Sequence, residues 1–395
     1  MPLERKREPE IIPNYSLTGD LLSFLRCGLQ YRYHNGSALP PSRPVQLWFG
    51  EFIHGVMEAA YRLWSSSSSP PAFPWPFNPT PYLGVAPAKR APHDIGTIGD
   101  MVEETLRTQG KTSRSRAARD SAYRRAEAAL NEVAPHLFPL VASAEEPVIG
   151  TRDVPSPGTG TAANLRTDRY ELHGVIDVLT DMQLNNVSTA NVIRDAIVTA
   201  CPQLPPHFEV VVDYKGSRRP ATNHPFWAQA EWQVQTYAWL RMRQPNSLPV
   251  AAGVLVYVNE LAPVSDDLRE LQREVQQGTT DETPIQGSQD AYSLSLWQPG
   301  RAIPNFSQPF RMRRAIRVIP VTPQSLAHAT SQFDQVVLQI EQCVAAEAAA
   351  GTIRNHWSPG GDADTCVACD FRHFCPNPAP RRISQPRPLR SPSAP

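Results

Sequence analysis

Apolar positions along the chain fall into helical and extended stretches. After Thr18, a candidate N-cap, Leu21, Leu22, Phe24, Leu25 and Leu29 line one side of a predicted helix that contains Cys27. Phe49, Phe52, Ile53, Val56, Met57 and Ala60 give a core face to a second helix over 48–64. Helical signal returns over 98–108, over 114–133 with Pro135 ending it, over 225–243 and over 323–350, which contains Cys343. Runs rich in β-branched and aromatic residues predict strands over 146–152, 169–181, 208–215, 250–260 and 315–321. The order of elements predicts an α/β fold, a mixed central sheet flanked by helices.

Between these stretches the pattern fails. Residues 1–16 read as an irregular lead-in. The serine run and prolines of 65–82 read as a mobile linker. Residues 182–206, with Cys201, read as an insert of unassigned role, and the polar, Gln- and Pro-rich 261–312 as an irregular insert. The Pro/Ser/Arg-rich tail, 377–395, holds no acidic residue and reads as disordered.

Candidate chemistry gathers on two predicted strands. One carries His173-Gly174-Val175-Ile176-Asp177; the other ends Val212-Asp213-Tyr214-Lys215. Side chains alternate along a strand, so Asp213 and Lys215 share a face. If the strands pair, Asp177 and Asp213 come within roughly 5 Å. Carboxylates that close call for a cation between them, and Mg²⁺ or Mn²⁺ suits hard oxygen ligands. A lysine beside such an ion polarises water or steadies phosphate charge. His54 and Glu58, four apart, form either a surface pair or a metal-bound histidine with a supporting carboxylate. Gln233 and Tyr237 share a helix face, as a buried hydrogen-bonded pair or as a phosphate-facing one. Lys111, Arg114, Arg116, Arg119, Arg124 and Arg125 make either a solvated face or a phosphate contact.

Composition narrows the field. The chain has 395 residues, 41% of them hydrophobic, enough for a substantial core; 38 basic residues balance 38 acidic ones, so a nucleic-acid partner would have to be drawn by local patches. The 41 prolines are more than average usage supplies. The charged N-terminus lacks a signal-like apolar core and no apolar run is long enough for a bilayer, which points to a soluble cytoplasmic protein, no membrane partner and reduced or metal-bound thiols. Cys366, Cys369 and Cys375 stand in a C-x2-C-x5-C spacing, a metal-ligand pattern for which Cys27 is the best fourth ligand. Zinc and a [4Fe–4S] cluster both take four cysteines.

Taken in order, the lone cysteine, the His-centred helix, G-x-x-D, D-x-K, Q-x3-Y and C-x2-C-x5-C resemble the PD-(D/E)XK nuclease superfamily. The likeness is to its RecB-like branch with an iron–sulphur staple, as in AddB-type nuclease domains and CRISPR-associated RecB-like exonucleases. It runs over most of residues 17–376, and the insert between the two aspartates departs from the family pattern. The resemblance implies a restriction-endonuclease-like core whose Mg²⁺ or Mn²⁺ is bound by His54, Asp177, Asp213 and the Tyr214 carbonyl, with Lys215 assisting the water. It implies DNA contact by Gln233 and Tyr237, an acidic residue at Glu145 or Glu146, and a cluster on Cys27, Cys366, Cys369 and Cys375 that joins the two ends of the fold. The implied activity is a metal-dependent deoxyribonuclease, an exonuclease on single-stranded or free-ended DNA in repair, recombination or defence. The alternatives are a non-cleaving DNA-binding iron–sulphur subunit of a larger complex and a redox sensor. No G-x-x-x-x-G-K-[ST] segment is present, so a helicase or a CRISPR or repair factor would be a separate partner.

Overall fold

The computed structural model describes residues 12–36, 46–78, 90–155, 165, 167–353, 355–361, 365–366 and 369–376. Its strands are β1 (Asn14–Ser16), β2 (Val141–Asp153), β3 (Arg169–Gln183), β4 (His207–Lys215), β5 (Val250–Tyr257) and β6 (Ile316–Pro320). All join one mixed sheet in the order β1-β3-β4-β5-β6, with β2 also on β3. The fifteen-residue β3 is the hub. Antiparallel β2 covers one edge, and the other is shared by parallel β1 and antiparallel β4. β4 then pairs in parallel with β5, and β5 antiparallel with β6.

The helices are α1 (Leu22–Arg26), α2 (Gly28–Gly36), α3 (Gln46–Ser66), α4 (Ile95–Thr108), α5 (Arg116–Ala128), α6 (Ala134–Leu137), α7 (Val192–Ala200), α8 (Pro225–Arg241), α9 (Ser265–Gln277), α10 (Gln289–Leu296), α11 (Gln308–Ala315) and α12 (Pro323–Ala350). They cover both faces of the sheet, which is why β4 is apolar at consecutive positions: Val210 and Val212 pack towards α3, α4 and α5, and Val211 packs towards α8 and α12. The mixed, helix-flanked sheet is as the sequence predicts.

Several expectations change. The lead-in contributes β1, and its Ser16, not Thr18, caps the π-helical turn Leu17–Leu21 by accepting from the Gly19 N–H. Cys27 is not inside a helix. It stands extended (φ −163°, ψ 104°) at the break between α1 and α2. Pro135 does not end the helical run. The chain continues through the π-helical turn Ala129–Val133 into α6, where the proline occupies the first turn and its missing N–H is harmless. Helix α3 extends through Ser66, and the exposed segment after it is anchored at its aromatic residues: Trp75 is buried, stacks on Phe73 and donates its backbone N–H to Asn131 (2.7 Å). Aromatic rings interleaved with the prolines supply the burial that serine runs lack.

Both inserts are structured as well. In 182–206 the strands run on to Gln183 and restart at His207, and α7, capped by Asn191, buries Ile193 and Ile197 between them. In 261–312, helices α9, α10 and α11 share a small core of Leu268, Leu271, Leu294, Trp297, Phe306 and Phe310. Residues 1–11 of the lead-in, 79–82 of the expected linker and the tail 377–395 lie outside the described residues. No helix among the described residues is long and apolar enough to cross a membrane.

Candidate active site

The strand register builds the site. The β3–β4 ladder ends at Val178↔Val212, and one step further sets Asp177 opposite Asp213. On the other edge, Ala144↔Val178 and Glu146↔Ile176 bracket the position where Glu145 opposes Asp177. Glu145, Asp177 and Asp213 therefore occupy one row across three neighbouring strands. The Tyr214 N–H donates to Asp177 Oδ2 (2.8 Å), tying β4 to β3 at that row.

Helix α3 brings His54 to the row. A close approach of backbones allows this: a Cβ on Gly216, just after β4, would sit 3.1 Å from the Gly50 Cα of α3. His54 Nδ1 lies 3.4 Å from Asp177 Oδ1, and Nε2 lies 2.9 Å from the Tyr214 carbonyl. A carbonyl only accepts, so Nε2 carries a proton. Burial opposes charge on this imidazole, but the hydrogen bond and charge of Asp177, with Asp213 and the Tyr214 carbonyl, overcome it and raise its pKa to about 9. Glu58 does not pair with His54; it binds Arg62 on its own helix and faces the same small cavity.

One ligand atom each from His54, Glu145 and Asp177 lies within 4.8 Å of the others. Glu145, and not Glu146, is the acid of this group. It adopts a left-handed backbone conformation (φ +53°), whereas Glu146 lies 3.6 Å from Arg241. Burial first, and then Asp177 and Glu58, raise the pKa of Glu145. Side chains alternate along a strand, so only the pairing of β2 with β3 decides which of the two adjacent glutamates shares the face of Asp177. Carboxylates with one imidazole are a donor set that fits a divalent cation, and the charge they concentrate is now balanced by the proton on His54.

Asp213 lies next in the row but outside that group of three. Burial is the main influence raising its pKa, opposed by Lys215 and reinforced by Asp177. Lys215 Nζ sits 2.6 Å from Asp213 Oδ2 and donates to Gln233 Oε1 (2.6 Å), while Gln233 Nε2 donates to Asp213 Oδ1 (3.1 Å) and reaches the Tyr237 hydroxyl (3.3 Å). Gln233 and Tyr237 thus belong to the scaffold of the lysine. Of the basic run, Lys111 binds Glu51, Arg119 binds Glu103 and Asp100, and the buried Arg125 binds Asp267. These three are held in ion pairs within the fold, neither a freely solvated face nor open to phosphate.

At the other end of the chain, Cys27 Sγ accepts the backbone N–H groups of Gln30 and Gly360, each at 3.4 Å. Burial first, with Cys27 and Cys375 among the neighbouring charges, raises the pKa of the Cys369 thiol. Cys366 is buried, and its carbonyl accepts from the Cys369 N–H. The first and last described segments therefore meet at thiols.

The sequence profile of the PD-(D/E)XK nuclease superfamily matches residues 19–193 and 208–376. These segments contain His54, Glu145, Asp177, Asp213, Lys215 and all four cysteines of the proposed cluster. No curated protein matches the chain. The matched segments span most of the sequence, and the chain belongs to the PD-(D/E)XK nuclease superfamily.

Proposed function

We propose that the protein is a metal-dependent deoxyribonuclease of the RecB-like type, acting as an exonuclease on single-stranded or free-ended DNA. The observation that carries the hydrolytic reading is the row Glu145–Asp177–Asp213 with His54 on one side and Lys215 on the other. His54, Asp177 and the Tyr214 carbonyl, with Asp213 and Glu145, would hold Mg²⁺ or Mn²⁺. The ion would lower the pKa of a bound water and offset phosphate charge. Lys215, braced by Asp213 and Gln233, presents an ammonium that donates to the attacking water or to a phosphate oxygen. Burial of Asp213 strengthens that pair and keeps the lysine aimed.

The test is cleavage of end-labelled single- and double-stranded DNA with Mg²⁺ or Mn²⁺. Asp213→Ala and Lys215→Ala are expected to abolish turnover; activity that persists in either rejects this site. Products shortened from an end support exonuclease action, and internal cuts reject it.

Cys27, Cys366, Cys369 and Cys375 are the proposed ligands of a [4Fe–4S] cluster, which would supply a covalent closure between the ends of the fold. The meeting of Cys27 with the Gly360 and Cys369 region supports this. Closing a loop of several hundred residues costs several kcal/mol, so the closure is worth stabilising. Brown anaerobically purified protein with iron and sulfide is the expected result; colourless protein containing zinc rejects the cluster. Cys27→Ala should release the iron and lower the melting temperature.

A further inference from the structure

A chamber of about 730 Å³ opens beside Lys215 and Gln233. The start of α8 forms one side, α9 of the 261–312 segment faces it, and Arg26 at the end of α1 contributes to the rim. Its volume is that of a site for a small organic group.

Two features describe what fits. Phe226 is 55% exposed, an unusual position for a large apolar ring, and the His224 ring lies beside it at 4.8 Å. The charge balance is positive. Of the wall's acids, Glu274 is bound by Arg218 (2.6 and 2.7 Å) and Glu270 by Arg273. Arg26, exposed on the rim, has no ion-pair partner among the described residues. An open ring, a surplus cation and a floor made by the proposed catalytic lysine match a base, its phosphate and the neighbouring bond. Inside a duplex, base faces are covered by their neighbours, so a protein ring stacks on an unpaired base.

We infer that this chamber seats one unpaired nucleotide of a DNA strand, next to the bond that is cut, with its base on Phe226 and its phosphate facing Arg26. The inference rests on the nuclease reading and adds the residues that grip the strand. It gives α9 a functional role as the wall that turns a surface site into a chamber.

The test uses the full chain in EDTA, where binding is read without cleavage. The probe is a short single-stranded oligodeoxynucleotide carrying 2-aminopurine. Binding should change its fluorescence, and Phe226→Ala should remove that change and weaken affinity about tenfold. Phe226→Trp should restore both. Arg26→Gln should weaken binding and reduce the salt slope by about one. Affinity for a blunt duplex should be unaffected by Phe226→Ala. Wild-type affinity and fluorescence change in Phe226→Ala, or equal loss on single strand and duplex, would overturn the subsite. Protein that shows these binding signatures but leaves DNA uncut with Mn²⁺ would overturn only the nuclease reading. Protein that cuts DNA while Phe226→Ala binds normally would overturn only the subsite.

Discussion

Gly174 lies against the ring of Tyr237: a Cβ at this position would fall 2.6 Å from Cε1 of the tyrosine. The glycine of G-x-x-D and the tyrosine of Q-x3-Y are thus one packing unit. Tyr237 touches Gln233, and Gln233 holds both Lys215 and Asp213. Gly174→Ala should therefore cost about 1–3 kcal/mol from overpacking. It should also misplace Lys215 and lower cleavage about tenfold or more, with metal affinity near wild type. Chemical denaturation and titration of metal-free protein separate the two effects.

Glu145 and Glu146 are adjacent in sequence but differ in surroundings. Glu145 joins His54 and Asp177, and the half-buried Glu146 faces Arg241. Glu145→Gln should weaken binding of Mn²⁺ about tenfold or more, as loss of a metal-site carboxylate does. Glu146→Gln should leave metal binding unchanged and shift stability by about 1 kcal/mol or less, because the contact is long and Arg241 keeps its closer partner, Glu209. Calorimetric titration with Mn²⁺ compares them directly.

The two aspartates and the lysine were legible from sequence because a strand's two-residue period fixes which side chains share a face, and β-branched runs mark the strands. Gly174 and Tyr237 were visible as letters, but their contact was not, since it depends on how α8 crosses the sheet. The 261–312 segment is hard to read for a different reason. Its helices bury few apolar residues, Leu268 and Leu271 among them, in a Gln-rich and charged sequence. Leu268, Leu271 and Val275 do recur at helical spacing in α9, but α10 and α11 are only eight residues each, and the Gln, Thr and Pro residues between the three helices hide the pattern. The neighbours Phe24 and Leu29 suit a helix through Cys27, whereas the extended break there meets Ser358 and Gly360, far along the chain.

The charge on His54 gives a pH signature to metal-free protein. Burial alone would lower its pKa, but the Asp177 carboxylate, with Asp213 and the Tyr214 carbonyl, raises it from 6.5 to about 9. A pKa raised on folding contributes stability that is complete below the unfolded value and is lost as pH climbs through the folded value. Metal-free protein should therefore lose stability between about pH 6.5 and 9, and His54→Gln should flatten that slope. A cation and this proton compete for the same carboxylates, so Mn²⁺ affinity should rise over the same window. Thermal melts in EDTA and metal titrations across that range read both. A wild-type slope no steeper than that of His54→Gln would contradict the charged imidazole.

The turn after Lys215 is pinned by the neighbouring 261–312 segment and the strand beyond it. Buried Arg219 donates to Asp281 and to the carbonyls of Arg313, Arg314 and Ile316 (3.0–3.1 Å), while its own backbone N–H donates to Glu260. Glu260 in turn accepts from Arg314, which is almost wholly buried. Removing one member of such a network strands the others, so Arg219→Ala should cost about 3–5 kcal/mol. Arg269→Ala, which deletes only an exposed pair with Asp266, should cost less than about 1 kcal/mol. The Arg219 variant should also lose cleavage at temperatures where it remains folded, because slack in the turn reaches Lys215 four residues earlier. Equal stability of the two variants in urea, or full activity of folded Arg219→Ala, would show that the segment is an ornament on the fold and not a brace for its lysine.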